Sequence, residues 1–555
     1  MSEENFFNDI IRLVKSGSLS KDQITRAKIR LCKAHGVKRI PTDIEIMLHA
    51  KKEDVPLLNK SLKTKPMRTQ SGVAVCAIMS KPFRCPHGSC LMCPSRTAKG
   101  VPQSYTGREP ATMRAMRNNF DPYLQVFNRL EQYAVLGHSP EKIEMIVMGG
   151  TFPSFPKKYQ EDFVKFAFKA MNDFSDLFYR NGGFDIIKFR EFFELPGQVA
   201  SGKRTKSIQG RLLKLKGRTT LQKEHSRNEK SRIKCVGLTI ETRSDYGRLE
   251  QGNEMLRLGC TRVELGIQSV YDDVLASIER GHGTRENIEA IEILRDLGFK
   301  LNFHYMIGLP GSSMERDLLG FRQMFSNPMY RPDMLKIYPC LVVRESRLYN
   351  LYKNGKFKPI TTAQAAKLIA EMKQFVPPYC RIMRVQRDIP TYATVAGVDR
   401  TNLRQYVSEV MKKEGITCRC IRCREIKGSA RFGKVKISVL KYRASNGTEF
   451  FISAEDQKHL LGFCRLRFPG RALRSEITGD SALIRELHVY GPAAAIGEEG
   501  DVQHRGIGRS LLHRAEQIAK KNGKKKMIII SGVGVRGYYK RLGYRKQGPY
   551  MVKKI

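Results

Sequence analysis

The sequence predicts an α/β multidomain protein with a helical N-terminal region, a whole or partial β/α barrel and a C-terminal α+β domain. A length of 555 residues favours more than one domain. Six strand-like runs recur along the chain, and several of them are nearly continuous apolar runs, which is typical of parallel strands buried on both faces. They lie at 72–80, 143–149, 235–241, 261–268, 301–309 and 334–343. Helical segments between the runs, such as 284–297, favour a β/α barrel, and paired strand patterns from about residue 435 predict the α+β domain.

The net charge is +45, from 99 Lys and Arg residues against 54 Asp and Glu residues. This excess predicts a polyanionic partner, because neutralising a polyanion releases its counterions. The positive sign excludes a halophilic protein. A generally basic proteome is an alternative explanation for part of the excess, but it does not explain why the charges cluster.

Localisation is expected to be cytoplasmic. No run of about 18 uncharged apolar residues is present, so we expect no membrane span. The first residues are acidic and lack the apolar stretch of a signal peptide. The 13 cysteines are mostly scattered, and in a reducing compartment their clusters indicate metal binding or catalysis rather than disulfides.

Two basic segments are candidates for contact with nucleic acid. Residues 1–70 have a helical pattern, with helix starts expected at Ser20 and Thr42, and the alternative is a helical cap with a solvated face. Segment 197–234 contains 12 Lys or Arg residues and two acidic residues, Glu224 and Glu229. Its few apolar residues predict a mobile loop, which either contacts RNA or is only solvated.

Three thiols lie within nine residues at Cys85, Cys90 and Cys93. This crowding favours a metal ion or an iron–sulfur cluster. A cluster held by three cysteines keeps one iron open for another ligand, whereas a structural zinc site needs a fourth protein ligand. No fourth cysteine lies nearby, and on spacing alone both interpretations stay open.

A second cysteine group, Cys418, Cys420 and Cys423, lies in the linker 391–434. Its spacing predicts a structural zinc site that takes one further ligand from elsewhere in the chain. Near the end of the predicted barrel, Arg381, Arg384 and Arg387 recur at three-residue spacing. Such arginines hold either phosphates or buried carboxylates.

The carboxyl ends of barrel strands are expected to carry the chemistry. Candidate residues at these ends are Gly149, Gly150, Glu241, Arg243, Gln268, Lys336 and Tyr338. In the C-terminal domain, Gly506 and Gly508 precede a predicted helix over 511–521. Backbone N–H groups of a glycine-containing loop that opens a helix form an anion site, which a pyrophosphate fits.

The glycine loop, its preceding strand and the Tyr-Tyr-x-x-x-Gly-Tyr segment near the C-terminus resemble the GNAT acetyltransferase fold. The resemblance implies that acetyl-CoA is bound by Glu486, Leu487, His488, Val489, Gln503, His504, Arg505, Gly506, Ile507, Gly508, Arg509 and Tyr539. It also implies that Tyr538 or Tyr539 is the acid that protonates the leaving thiolate, while the other is an aromatic residue of the core.

The Cys85 group, the Gly149-Gly150 strand end and the strand at 304–311 together resemble radical-SAM enzymes. The resemblance implies a 4Fe–4S cluster on the three cysteines, with S-adenosylmethionine on the open iron. It implies that S-adenosylmethionine is bound by Gly149, Gly150, Glu241, Arg243 and Gln268. The spacing Cys-x4-Cys-x2-Cys departs from the usual Cys-x3-Cys-x2-Cys. We expect His87 to be a loop residue beside the cluster, since a ligand there would block the open iron.

The combination of a radical-SAM barrel and a GNAT domain in one chain resembles the archaeal-type Elongator catalytic subunit family. Specific strings that carry this resemblance lie at 103–110, 146–152, 237–243, 335–339, 385–390, 485–491 and 531–536. The implied domains are a tRNA-binding region at 1–70, a radical-SAM barrel at 71–390 with the basic insertion 197–234, the linker at 391–434 and a GNAT domain at 435–555.

The resemblance implies formation of 5-carboxymethyluridine at the wobble position of tRNA, in the anticodon stem-loop. A 5′-deoxyadenosyl radical would abstract hydrogen from the methyl group of acetyl-CoA, the carbon radical would add to C5 of uridine, and thioester hydrolysis would follow. Lys336 and Tyr338 are expected to line the shared cavity. Self-association or Elongator-like subunits are possible partners. The rivals are a protein lysine acetyltransferase with a structural cluster and a nucleic-acid-binding scaffold with degenerate sites.

Overall fold

The structure is a computed structural model. It describes residues 2–17, 19–51, 53–62, 72–94, 97–138, 140–181, 183–197, 201–426, 432–491 and 506–555. Three of the residues predicted to bind acetyl-CoA, Gln503, His504 and Arg505, lie outside the described residues.

The N-terminal region is a four-helix unit with a core of its own. The helices are α1 (Ser2–Ser16), α2 (Lys21–His35), α3 (Asp43–His49) and α4 (Val55–Leu62). Ser20 and Thr42 cap α2 and α3, each in a reciprocal capping box, so both predicted helix starts are confirmed. Phe6, Ile24 and Leu58 pack together inside the unit. The cations Arg26, Arg30 and Lys33 lie on the exposed face of α2.

The central domain contains a seven-stranded parallel sheet in the order β1-β2-β5-β6-β7-β8-β9. In chain order the strands are β1 (Ala74–Met79), β2 (Lys142–Met148), β3 (Tyr179–Arg180), β4 (Gly183–Phe184), β5 (Lys234–Thr242), β6 (Arg262–Gln268), β7 (Lys300–Ile307), β8 (Met334–Pro339) and β9 (Arg381–Arg384), of which β3 and β4 form a separate hairpin. All six predicted runs are strands. Strand β9 is missing from the sequence prediction, because Arg381 and Arg384 interrupt its apolar pattern.

Helices follow most strands of this partial barrel and cover its outer face. They are α5 (Pro110–Arg117), α6 (Pro122–Val135), α7 (Lys157–Phe178), α8 (Ile186–Phe192), α9 (Gly202–Lys216), α10 (Leu221–Lys230), α11 (Leu249–Arg257), α12 (Asp272–Ser277), α13 (Thr284–Asp296), α14 (Met314–Ser326), α15 (Leu348–Lys353), α16 (Thr362–Lys373), α17 (Leu403–Lys413) and α18 (Ile421–Arg424). One continuous apolar core joins the sheet to these helices.

The prediction of a mobile loop at 197–234 is wrong, because the described part of the segment forms α9 and α10. Ser201 and Thr220 cap the two helices through their side chains. The few apolar residues, including Ile208 and Leu212, recur at helical spacing and pack into the core. Buried Arg204 adds an ion pair of 2.6 Å from Nη2 to the Glu131 carboxylate.

The C-terminal domain is a mixed seven-stranded sheet in the order β10-β11-β12-β13-β14-β16-β15. Its elements are β10 (Lys436–Ala444), β11 (Gly447–Glu455), β12 (Leu460–Phe468), β13 (Ser481–Val489), α19 (Ile507–Lys521), β14 (Lys526–Ile529), α20 (Arg536–Lys540), β15 (Arg545–Gln547) and β16 (Tyr550–Lys554). Among the described strand pairs of this sheet, β13–β14 alone is parallel. The predicted strands and the predicted helix are confirmed, and α19 begins four residues earlier than expected.

A buried ion network joins the C-terminal sheet to the amino ends of the barrel strands. Asp333, directly before β8, accepts 2.7 and 2.6 Å hydrogen bonds from Nη1 and Nη2 of Arg485 on β13. Asp296, at the end of α13, accepts a 2.8 Å bond from Nε of Arg467 on β12. All four side chains are fully buried. Each charge faces an opposite charge, so the domains are fixed in one orientation.

Among the described helices, none has both the length and the apolar character needed to cross a membrane.

Replacing Asp333 with Asn is expected to destabilise the protein by about 3–5 kcal/mol, because it removes a buried carboxylate charge that Arg485 and Arg465 share. Urea unfolding followed by circular dichroism measures the change. Asp176→Asn is the matched control, since Asp176 is 67% exposed in its ion pair with Arg227 and surface pairs contribute little. An unchanged unfolding curve for Asp333→Asn would contradict the role of the network.

Candidate active site

A cavity of about 230 Å³ opens inside the barrel toward the carboxyl ends of its strands. Nine of the residues that the sequence singled out at the cysteine group and the strand ends line this cavity, although they are spread over 254 positions of the chain. They are Cys85, Cys90, Cys93, Gly150, Glu241, Arg243, Gln268, Lys336 and Tyr338. The parallel sheet explains the convergence, because all its strands end at the same edge.

Each of the three sulfurs has a polar neighbour from the protein. Cys85 Sγ lies 3.4 Å from Thr151 Oγ1. Cys93 Sγ accepts from Gln103 Nε2 at 3.4 Å and lies 3.5 Å from Ser104 Oγ. Such donors stabilise thiolates, whereas burial raises the pKa of the Cys93 thiol to about 11.

Cys90 lies between a guanidinium group and an imidazole. Arg280 Nη1 donates to its Sγ at 3.6 Å, and His87 Nε2 lies 3.4 Å from the same sulfur. Burial, together with Arg243 and Arg280, lowers the pKa of His87 to about 4, so its ring is neutral at pH 7. The ring packs against Gly281.

The two predicted glycines at the end of β2 have different surroundings. Gly149 has φ +116°, and a Cβ atom there would lie 2.4 Å from Ser80 Oγ, so its role is to let β1 and β2 meet closely. Gly150 has φ +73°, and a Cβ atom there would lie 3.8 Å from Cys85 Sγ. Gly150 therefore borders the cavity, whereas Gly149 does not line it.

Gln268 and Arg243 extend the polar wall of the cavity. Gln268 has φ +67° at the end of β6, an unusual backbone conformation for a residue with a side chain. Its buried Oε1 atom has no hydrogen-bond donor among the described residues. Arg243 binds both carboxylate oxygens of Asp245 at 2.9 Å and donates to the Arg280 carbonyl at 2.8 Å.

Lys336 occupies the centre of a buried charged group deeper in the barrel. Its Nζ binds Glu264 directly and lies 3.4 Å from Glu241 Oε1. Burial lowers the pKa of Lys336, but Glu264, Tyr338 and Glu241 outweigh burial and raise it above the ordinary value. Lys336 is therefore an ammonium ion at neutral pH.

Glu264 and His304 complete this group and are absent from the sequence prediction. His304 Nε2 lies 2.8 Å from Glu264 Oε2, and its ring packs edge-on against Tyr338. The signal that points to Glu264 is an acidic residue inside an apolar run, because such a side chain must face a polar interior.

The C-terminal sheet separates at the predicted acetyl-CoA site. Strands β13 and β14 pair only from Ser481 to Ile484 of β13, and β13 continues to Val489 with β12 on its other side. Gly506, with φ +80°, is the N-cap residue of α19 next to this opening. A Cβ atom on Gly508 would lie 3.4 Å from Tyr538 Oη and 3.6 Å from Val489 Cγ2. A strand end, a helix N-terminus and one tyrosine hydroxyl thus meet here.

The two candidate tyrosines differ in position. Tyr538 is half-buried beside Gly508. Tyr539 is 6% exposed and lies within the core of the C-terminal domain, against Tyr544. Burial raises the pKa of both phenols, and Arg509 opposes the rise at Tyr538. Tyr539 is thus placed as the core aromatic of the pair.

The predicted residues of β13 fall on two faces of the sheet. Glu486 faces the barrel, where it accepts a 2.9 Å bond from Arg465 Nε and lies 3.6 Å from Lys300 Nζ. Leu487 packs on the side of α19. His488 is near the barrel face, with its ring 4.4 Å from that of Tyr490.

The three cysteines of the second group lie close together in the structure. The sulfurs of Cys418, Cys420 and Cys423 lie within 4.8 Å of one another. Lys373 Nζ donates to Cys423 Sγ at 3.5 Å. Among the described residues, no fourth His, Cys or acidic side chain joins the group at that distance.

Comparison with protein families assigns the whole architecture. The ELP3 N-terminal domain matches residues 4–70, the Radical SAM superfamily 79–321, the Radical_SAM C-terminal domain 332–413 and the Acetyltransferase (GNAT) family 431–544.

Full-length relatives agree with this assignment. The tRNA uridine(34) acetyltransferase of Methanocaldococcus infernus is 41% identical, with 98% of each chain covered. Elongator complex protein 3 of Homo sapiens is 38% identical over 99% of this chain and 96% of its own length. A solved structure of Methanocaldococcus infernus Elp3 with an N-terminal deletion covers 88% of this chain and 100% of its own, with 38% identity and a TM-score of 0.71. The chain therefore belongs to the family of Elongator complex protein 3 and the archaeal tRNA uridine(34) acetyltransferases, with radical-SAM and GNAT domains, and it is an acyltransferase enzyme.

Proposed function

We propose that this protein converts the wobble uridine of tRNA to 5-carboxymethyluridine, with acetyl-CoA and S-adenosylmethionine as co-substrates. The observation that carries the proposal is the single cavity that gathers the three thiols with Glu241, Gln268 and Lys336. The full-length similarity to proteins named tRNA uridine(34) acetyltransferase supports uridine 34 as the target.

Cys85, Cys90 and Cys93 are the proposed ligands of a 4Fe–4S cluster. Three thiols with polar neighbours, and no fourth thiol lining the cavity among the described residues, fit a cluster with one open iron. With S-adenosylmethionine bound, this cofactor supplies a 5′-deoxyadenosyl radical. Because the buried thiols must lose their protons to bind iron, cluster assembly releases protons.

S-adenosylmethionine is proposed to lie between Gly150, Glu241 and Gln268. The Gln268 Oε1 atom lacks a donor, and an ammonium or hydroxyl group of the ligand supplies one. Among the described residues, Glu241 accepts a 3.2 Å bond from Tyr105 and the long contact from Lys336, so its carboxylate can take a further donor. Arg243, bound to Asp245, lines the same cavity as Cys90.

Acetyl-CoA is proposed to bind where β13 and β14 separate. The N–H groups of Ile507, Gly508 and Arg509 lie in the first turn of α19, and a helix N-terminus attracts a pyrophosphate. Tyr538, whose hydroxyl lies at Gly508, is the proposed donor of a hydrogen bond or proton to the sulfur of the coenzyme.

The tRNA is proposed to bind across the N-terminal region 1–70 and the insertion 197–234. Both present cations to solvent, and those on and next to α9 and α10 are Lys203, Lys206, Lys214, Arg218, Lys223 and Lys230. The wobble base must leave its stack to reach the cavity, as single-stranded bases do when proteins bind them. Cys418, Cys420 and Cys423 are proposed to hold zinc in the linker 391–434.

The test of this function is an anaerobic assay of the reconstituted protein with tRNA, acetyl-CoA, S-adenosylmethionine and reductant. We expect 5-carboxymethyluridine in digested tRNA, and Cys90→Ala is expected to abolish it together with most of the iron. Cys420→Ala is the matched control, which is expected to lose zinc and keep its iron. Peptide acetylation without S-adenosylmethionine, and no modified uridine, would favour the protein acetyltransferase instead.

Tyr538→Phe is expected to slow carboxymethyluridine formation by about 10²–10⁴-fold, the usual contribution of a positioned acid. Acetyl-CoA affinity, measured by calorimetry, should change little, because one hydroxyl is lost and no charge is removed. Tyr539→Phe is the matched control and should keep the wild-type rate. Equal rates for the two variants would exclude the assignment of Tyr538.

A further inference from the structure

The cavity contains a carboxylate–imidazole pair to which the proposed function gives no role. Glu264 on β6 is fully buried, and its Oε2 lies 2.8 Å from Nε2 of His304 on the adjacent strand β7. His304 lines the cavity, and 16% of its side chain is exposed. Its other ring nitrogen, Nδ1, makes no hydrogen bond to any described residue and is not a buried atom.

The surrounding charges fix the protonation of this pair. Burial raises the pKa of Glu264, but Lys336, His304 and Arg262 outweigh burial and hold it well below its usual range. Burial and the Lys336 ammonium lower the pKa of His304, against the opposing effect of Glu264. The imidazole is therefore neutral and donates Nε2–H to the carboxylate. Nδ1 is left with an open lone pair, as in a general base.

Lys336 lies beside this base. His304 and Lys336 are paired residues on β7 and β8, so their side chains are neighbours on the inner face of the sheet. Lys336 Nζ also bridges Glu264 and Glu241, so the ammonium already supplies the cation among these acids. An imidazole lone pair can activate water, and a fixed ammonium beside it can stabilise an oxyanion.

Among the described residues that line the cavity, the other carboxylates and the other histidine are engaged. Asp388 is paired with Arg384, and His87 lies against the Cys90 sulfur. Glu241 accepts from Tyr105 and faces Lys336. Among the described residues that line the cavity, His304 therefore combines an open lone pair with a buried carboxylate behind it.

We propose that His304 is the general base for thioester hydrolysis in this cavity, an assignment that rests on the proposed function. Glu264 positions the imidazole, and Lys336 stabilises the oxyanion. A carboxymethyl product requires hydrolysis of the acyl thioester after the acyl carbon has joined the uridine. The uridine is then still held in the cavity, so the water must be activated there.

The step balances without an oxidant or reductant. Nδ1 of His304 takes a proton from water as the water oxygen bonds to the thioester carbonyl carbon. Negative charge develops on the carbonyl oxygen beside Lys336, and the carbon–sulfur bond then breaks. The proton that the imidazolium releases balances the proton that the thiolate takes up. Thioester and water thus give a carboxylic acid and a thiol.

A single-turnover assay of the full-length, reconstituted protein tests this assignment. With tRNA, acetyl-CoA, S-adenosylmethionine and reductant, His304→Gln is expected to hydrolyse the thioester about 10²–10⁴-fold more slowly. Mass spectrometry of the tRNA should then detect uridine still joined to coenzyme A through a thioester, while 5′-deoxyadenosine continues to form. His459→Gln, a histidine on the surface of the C-terminal domain, is the control and should match the wild type.

Two further variants separate catalysis from folding. Glu264→Gln is expected to accumulate the same adduct. The amide that replaces the carboxylate donates a hydrogen bond to Nε2 of His304, so the imidazole proton lies on Nδ1 and Nδ1 can no longer act as a base. Glu264→Asp keeps a carboxylate and should recover part of the rate. His304→Ala should be rescued by added imidazole, which a purely structural role would not allow.

Wild-type hydrolysis by His304→Gln, or no rescue of His304→Ala by imidazole, would overturn the assignment. Joint loss of 5′-deoxyadenosine and adduct in His304→Gln would also overturn it, by showing a structural role. If the wild-type protein itself forms no carboxymethyluridine, the proposed function fails, and this assignment fails with it.

Discussion

The buried ion network between the C-terminal sheet and the barrel is the constraint on which the arrangement of the two domains depends. Arg485 and Arg465 both face Asp333, and Arg467 faces Asp296 and Glu449. Removing such charges from water is costly, and the cost is offset only when every partner is in place. The network therefore permits one docking of β13 against the amino ends of the barrel strands. In that docking, Glu486 on β13 lies within 3.6 Å of Lys300 at the start of β7.

Charges continue from this interface through the inside of the barrel. Arg262 Nη1 binds Glu144 at 2.5 Å, and its Nη2 lies 3.4 Å from Glu264. Glu264 binds Lys336, which faces Glu241 at the carboxyl ends of the strands. In the proposed function this polar interior brings the acyl group and the uridine into one environment. Its fixed charges act there at low dielectric, where they are stronger than in water.

Much of this arrangement is predictable from the sequence. Continuous apolar runs located six of the seven barrel strands, and parallel topology then explains why Cys85, Glu241 and Lys336 share a cavity. Strand β9 was not predictable from hydrophobic pattern, because Arg381 makes its buried contacts through ion pairs and not through apolar packing. The helices α9 and α10 were missed for a related reason, since Arg204 and Glu224 are buried by pairing.

The site residues that belong to a local sequence motif are predictable from the sequence. Those that become neighbours only through strand pairing are not. Cys90 is recognisable from its neighbours in sequence, but the Glu264–His304 pair exists only after β6 and β7 are in register. Likewise, adjacent Tyr538 and Tyr539 are equivalent in sequence, and only the fold places one at Gly508 and the other in the core.

The central claim is that one acetyl group serves both domains. Acetyl-CoA with a fully deuterated methyl group tests it most directly, in the presence of S-adenosylmethionine, reductant and tRNA. We expect deuterium to move from the acetyl group into 5′-deoxyadenosine, and the carboxymethyl group of the modified uridine to keep two deuterium atoms. 5′-Deoxyadenosine without deuterium, formed while carboxymethyluridine accumulates, would contradict the claim.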